Sequence, residues 1–146
     1  MYEINTQITI NTNQISAWKV LTDFNAYHSW STFIDNISGE TKNGCKLKVT
    51  ITPLGKKSMD FSSKLLVVKP NDELRWCGVL FHPLIFRGEH YFILEQEEEK
   101  TRLIHGEKFT GLLVPILNLF KFFENTQRGF EAFNLAFEKQ VNVHHV

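Results

Sequence analysis

His90, His105 and Glu107 are the residues of this chain whose types and spacing could do chemistry together. Around His90 the sequence has a period of two: Phe86, His90, Phe92 and Leu94 alternate with Arg87, Glu89 and Glu95. The next stretch repeats the pattern, with Leu103, His105, Glu107 and Phe109 on one side and Arg102, Lys108 and Thr110 on the other. Such alternation predicts two half-buried strands, each with one face turned to the core. Glu97-Glu98-Glu99-Lys100 between them makes a charged hairpin tip. With Glu98 and Glu99 at the turn, Glu97 pairs with Lys100, and the register carries His90 opposite Glu107 and Phe92 opposite His105. Opposed side chains on one face have Cβ atoms about 4.5–5.5 Å apart. A two-residue slip would pair His90 with His105 instead, leaving the inward face unchanged.

A buried carboxylate needs a partner or takes up a proton. His90 and Glu107 would satisfy each other, which admits three roles. The pair could be structural, fixing the sheet. It could anchor a ligand's hydroxyl, carbonyl or carboxylate in otherwise apolar surroundings. It could move protons, with His90 or His105 as general base activated by Glu107. No Ser or Cys nucleophile has motif support, so covalent catalysis has no basis and no residue is assigned as catalytic. By type the three residues also make a metal-ligand set, but no local ligand motif accompanies them and no metal is expected.

The elements that must position these residues are legible along the whole chain. Ile4, Thr6, Ile8 and Ile10 alternate with polar neighbours through Tyr2 to Ile10, which predicts a first strand. Asn11-Thr12-Asn13 breaks it and offers a helix N-cap, and Ile15, Trp18 and Leu21 follow at helical spacing. A short helix from about Asn13 to Thr22 and a second short piece from Asp23 to Trp30 are expected. From Phe33 the period returns to two. Leu47, Val49 and Ile51 share a face, then Met59, Phe61, Ser63, Leu65 and Val67, then Leu74, Trp76, Gly78 and Leu80. Pro53-Leu54-Gly55 and Pro70-Asn71-Asp72 are the turns between them. From Val114 to Val141 one continuous helix is expected, with Pro115 in its first turn and Phe123, Phe130, Phe133, Phe137 and Val141 close to one stripe.

Strands joined by short turns form an antiparallel sheet. One helix, about 10–12 Å wide with its side chains, covers only a strip of it. The sheet must therefore curl round the helix, and the two short helices would close one end. That arrangement leaves internal space, and mostly apolar concave spaces are where small ligands bind. The residues expected to line it are Trp30, Phe33, Phe61, Trp76, Leu80, Phe86, His90, Phe92, His105, Glu107, Phe109, Leu113, Leu117 and Phe120. The alternative is that the aromatics simply fill it.

Composition agrees. The 146 residues, 42% hydrophobic and 22% charged, suit one globular domain over residues 1–146. Sixteen Lys and Arg balance sixteen Asp and Glu, so the chain offers a phosphate backbone little and nucleic acid is not an expected partner. Thirteen Phe are a heavy aromatic load. Cys45 and Cys77 lie in no metal or redox motif and read as reduced thiols. The N-terminus lacks the regions of a signal peptide, and no stretch approaches the roughly 20 apolar residues of a membrane span, so a cytoplasmic protein is expected. His28, His82, His144 and His145 carry no motif.

Several stretches, taken in order, carry a resemblance. They are Ala17-Trp18-Lys19-Val20-Leu21-Thr22-Asp23-Phe24, Tyr27-His28-Ser29-Trp30-Ser31, Leu74-Arg75-Trp76 and Phe86-Arg87-Gly88-Glu89-His90. His105-Gly106-Glu107-Lys108-Phe109-Thr110-Gly111-Leu112-Leu113 and Gly129-Phe130-Glu131-Ala132-Phe133-Asn134 complete them. The chain resembles the START-like, helix-grip superfamily (SRPBCC), in its polyketide cyclase/dehydrase and lipid-transport branch. The resemblance implies an α+β helix-grip fold: a curved antiparallel sheet of about seven strands wrapped round a long C-terminal helix, with two short helices after the first strand. It also implies action without a metal or cofactor.

Members of such a superfamily differ in function, so the resemblance does not choose one. The expected function is binding or transport of a small hydrophobic ligand, a lipid, isoprenoid or aromatic polyketide, without catalysis. A polyketide cyclase- or dehydratase-like enzyme using His/Glu proton transfer is the alternative, and a filled-core module working through a protein partner is a third. The apolar run Leu112 to Phe123 is expected to have its second face covered by the two short helices; a ligand portal, or transient contact with a membrane or partner, is the alternative. A monomer or weak homodimer is expected.

Overall fold

A computed structural model describes residues 1–53 and 55–144. Leu54 of the expected Pro53–Gly55 turn, and His145, lie outside the described residues. Strand β1 (Tyr2–Ile10) leads into helix α1 (Gln14–Thr22), a 3₁₀ turn and the single-turn helix α2 (Tyr27–Trp30). Six strands follow: β2 (Ile34–Ser38), β3 (Lys46–Ile51), β4 (Met59–Lys69), β5 (Glu73–Leu80), β6 (Phe86–Glu97) and β7 (Lys100–Thr110). Helices α3 (Val114–Leu119) and α4 (Phe122–His144) complete the chain. The seven strands form one sheet in the order β1-β7-β6-β5-β4-β3-β2, antiparallel throughout. It curls as a half-barrel, and α4 lies in it. The architecture is α+β, as the pattern of periods predicts.

Local chemistry explains the punctuation. Asn13 caps α1, its side-chain oxygen accepting from the Ser16 amide at 2.8 Å. The buried stripe of α4 holds Phe123, Phe130, Phe133, Phe137 and Val141. Phe133 and Phe137 meet Leu21, Tyr27, Leu65, Leu74, Phe92 and Leu103 in the main core. Phe123 and Phe130 join Ile4, Phe86, Phe109 and Val114 in a second cluster nearer the C-terminal end of β7. Gly129 is required where it stands, because a Cβ there would collide with the Phe33 ring, which packs edge-on against Phe130 at 5.6 Å.

Three expectations are corrected. The C-terminal helix is not continuous. Lys121 adopts a φ of 57°, in the left-handed region that ends a helix, so α3 and α4 are separate. The run from Leu112 to Phe123 is apolar nearly all round, and one straight helix could bury only one face of it. The break turns Phe123 into the sheet while Leu112, Leu119 and Phe120 stay exposed, so the two short helices do not cover the second face of this run as expected. The inward face of β4 also changes parity. A bulge between Leu65 and Val67 sets Val67 opposite Arg75 and Val68 opposite Leu74, so Val68, not Val67, packs on the core.

Candidate functional site

Strands β6 and β7 pair with His90 opposite Glu107 and Phe92 opposite His105, the register expected from the hairpin tip. All four side chains point to the concave face. Trp76, opposite His90 on β5, stacks flat on the His90 imidazole at 4.7 Å. His105 is sandwiched between Phe92 at 4.4 Å and Phe130 of α4 at 4.3 Å. Both imidazole planes are thus held by aromatic faces.

A hydrogen-bonded chain links them. Glu107 Oε1 lies 3.1 Å from His90 Nδ1, and His90 Nε2 lies 2.7 Å from His105 Nε2. His105 Nδ1 lies 2.8 Å from Asn134 Oδ1 of α4. Asn134 Nδ2 donates to Thr6 Oγ1 at 2.9 Å, and the Thr6 hydroxyl donates to the His105 carbonyl at 2.7 Å.

The direction of every bond follows by elimination. A carbonyl only accepts, so the Thr6 hydroxyl spends its hydrogen on His105 and must accept from Asn134. That turns the Asn134 amide oxygen to His105, so His105 Nδ1 carries a hydrogen. Burial makes the charged form of this imidazole costly and holds its pKa well below the usual range. His105 is therefore neutral, and its Nε2 accepts from His90 Nε2–H. Burial likewise pushes His90 down to about 3. A neutral His90 protonated on Nε2 has a bare Nδ1, so Glu107 must donate to it. Burial raises the Glu107 carboxyl to about 8, which keeps that proton available. One proton lies between Glu107 and His90, and the chain reads in one direction from the wall to Thr6.

Beside this pair is a cavity of about 100 Å³, bounded by β3 to β7 and the first turns of α4. Of the residues expected on its wall, Phe33, Phe61, Trp76, Leu80, Phe86, His90, Glu107 and Phe109 line it. Val49, Ile51, Met59, Ser63, Gly78, Gly88, Phe122 and Thr126 also do. Most of these strand residues continue inward faces that alternation already marked. Phe122 and Thr126 arrive only because the helix restarts after Lys121.

The other expected wall residues are elsewhere. Trp30 packs against Tyr27, Phe133 and Phe137 at the far end of α4, beside a second, more polar cavity of about 310 Å³ lined by residues of α1 and α4. Phe92 and His105 are fully buried behind the wall, because their rungs lie under α4. Leu113 and Leu117 pack on the second cluster beneath α3. Phe120 is 73% exposed, thrown outward by the break at Lys121.

A metal does not suit the polar group. The ring nitrogens it would use are bonded to one another and to Asn134, and among the described residues no set of three ligating side chains converges.

Solved structures with the same architecture are numerous. TTHA0849 from Thermus thermophilus superposes with a TM-score of 0.78 at 12% identity, covering 99% of this chain and 100% of that one. The Zhui aromatase/cyclase from Streptomyces sp. R1128 gives 0.78 at 13% identity over 97% and 93%. Ara h 8.0201 gives 0.69 at 14% identity over 97% and 98%. The chain has the helix-grip fold. These identities establish the fold alone. No family model matches the chain, and no curated protein does.

Proposed function

We propose that the chain binds or carries a small hydrophobic molecule, of the lipid, isoprenoid or aromatic polyketide class, in the cavity between α4 and the sheet. The observation that carries this reading is an apolar, aromatic-walled space with a hydrogen-bonded polar pair at one side. A volume of about 100 Å³ is below the roughly 300 Å³ of pockets that enclose drug-sized ligands. It suits a ring or the end of a chain, with the rest of a larger ligand leaving past Met59, Val79 and Leu80, the wall residues most exposed to solvent. The START-like kinship suggested by the sequence agrees with this reading.

A second reading has its own support. The proton shared by Glu107 and His90 stands at the cavity wall, where it could pass to or from a bound substrate. One structural neighbour is an aromatase/cyclase, which makes a polyketide-like substrate the natural one to try. Binding without turnover is preferred because, among the described residues that line the cavity, none besides the pair is an acid, a base or a thiol.

The test is mass spectrometry of organic extracts from the purified protein, beside a mock purification and Ser63→Phe, which fills the cavity from β4. A stoichiometric apolar molecule found only with the unaltered protein supports the carrier. An empty extract, together with failure to bind added propylbenzene, contradicts it. Turnover of an added polyketide that is lost in Glu107→Gln would favour the enzyme.

A further inference from the structure

The direction of the hydrogen-bonded chain fixes the kind of polar group a ligand must bring. Glu107 uses Oε1 on His90, which leaves Oε2 beside Gly88 on the cavity wall. The Glu107 side chain retains 18% exposure. With the shared proton on Oε1, Oε2 is the carbonyl oxygen of a neutral acid. With the proton on His90, Oε2 belongs to a carboxylate. In both states it accepts and cannot donate. The Thr126 hydroxyl on the same wall already donates to the Phe122 carbonyl at 2.8 Å, so it too offers only an acceptor. Ser63 can serve either way.

We propose that the cavity selects a hydroxylated ligand, an alcohol or phenol on an apolar body, whose O–H donates to Glu107 Oε2. The inference rests on the ligand-binding reading above and narrows it. A ligand carbonyl, ether or carboxylate at this point would set acceptor against acceptor. Each would leave a buried polar atom without a partner.

The test uses three probes of one shape: 4-propylphenol, propylbenzene and 4-propylbenzaldehyde. Their dissociation constants are measured by NMR titration with the unaltered protein, Glu107→Gln and Glu107→Leu. The phenol is expected to bind about tenfold more tightly than the hydrocarbon, and the aldehyde more weakly than the phenol. Glu107→Gln should keep the preference, because the glutamine amide can donate to His90 Nδ1 and turn its oxygen to the cavity. Glu107→Leu should lose it. An aldehyde that binds as tightly as the phenol, or a preference that survives Glu107→Leu, overturns the inference. Hydrocarbon binding without phenol preference sinks this inference alone. Binding of none of the three sinks the cavity reading with it.

A separate observation carries a second proposal. Residues 51–59, 79–88 and 108–123 hold Lys56, Lys57, Arg87, Lys108 and Lys121 and no Asp or Glu, though Asp60, Glu89, Glu107 and Glu124 border them. Arg87 lies 3.6 Å from Glu89, so Lys56, Lys57 and Lys121 are the exposed cations of these segments among the described residues. All three segments contribute to the same cavity wall, and the Leu112 amide bonds the Leu84 carbonyl at 3.0 Å, tying two of them together. Phe81 at 86% exposure and Leu119 at 81%, with Leu84, Leu112 and Phe120, stand out from this end. We infer that it docks on an anionic lipid bilayer. A symmetric pair of copies would set Lys56, Lys57 and Lys121 against themselves. Apolar side chains on separate tips suit a fluid surface ringed by negative charge.

Co-sedimentation with phosphatidylcholine vesicles, with and without phosphatidylglycerol, tests it. Pelleting is expected with the anionic vesicles at low salt, and several-fold less with phosphatidylcholine alone or at high salt. Leu119→Ser/Phe120→Ser and Lys56→Glu/Lys57→Glu, both at exposed positions, should each abolish it. No pelleting on anionic vesicles, or pelleting unchanged in the serine variant, overturns the proposal. So does a dimer in solution that the serine variant dissolves, which would give the face to a second copy.

Discussion

His90 Nδ1 and Glu107 Oε1 face each other at 3.1 Å across the β6–β7 ladder, with a single proton to share. The shared proton follows from groups further along the chain. Thr6 orients Asn134, Asn134 sets the tautomer of His105, and His105 sets that of His90. The site is thereby wired to β1 and α4 as well as to its own hairpin.

The two imidazoles are opposite tautomers. His105 carries its hydrogen on Nδ1 and His90 on Nε2. Nitrogen-15 NMR of the histidine rings at pH 7 is expected to show one of each, both neutral. Two rings of the same tautomer, or an imidazolium at His105, would show that the bonds do not run from Glu107 to Thr6.

Stability should fall as pH rises from about 6.5 to 8. A carboxyl raised to about 8 in the fold, from an ordinary 4.5, binds more protons folded than unfolded across that interval. Deprotonation therefore favours the unfolded chain there. The buried histidines act oppositely at lower pH: they stay neutral in the fold but charge when unfolded, so stability rises with pH until about 6.5. Thermal melts of Glu107→Gln should lose the decline between 6.5 and 8 and keep the acid limb. An unchanged decline would assign it to another group.

Asn134→Leu removes both the acceptor of His105 Nδ1 and the donor to Thr6. Stranding that buried N–H should cost about 1–3 kcal/mol, read by urea denaturation. The His105 tautomer should become mixed in the same variant. A loss of stability with both tautomers unchanged would make Asn134 a packing residue only.

Gly88→Ala places a Cβ against Glu107 Oε2. The colliding atom ends a flexible side chain, so the fold should survive while the carboxyl swings off His90. The decline in stability above pH 6.5 and the preference for a phenol should weaken together. Loss of one without the other would show that the two do not share Glu107.

Much of this was legible in the sequence. The run of glutamates fixes the β6–β7 turn, and period-two alternation carries the register from there to His90 and Glu107. Thr6 and Asn134 were also visible, as polar residues on an inward strand face and within an apolar helix stripe. Nothing in the sequence joins them to their partner His105, which lies 99 residues from Thr6 and 29 from Asn134. The break at Lys121 was not legible. No glycine or proline marks it, and it arises from competition between faces of one apolar run. The same break explains why Phe120 left the wall and Phe122 joined it.

The three tryptophan indoles report directly on whether the cavity takes a ligand. Trp76 lies on the cavity wall, while Trp18 and Trp30 pack on the main core away from it. Titrating propylbenzene into nitrogen-15-labelled protein should move the Trp76 indole signal saturably and leave the Trp18 and Trp30 signals in place. No shift at Trp76 up to the solubility of the hydrocarbon, or equal shifts at all three, would contradict a ligand cavity between α4 and the sheet.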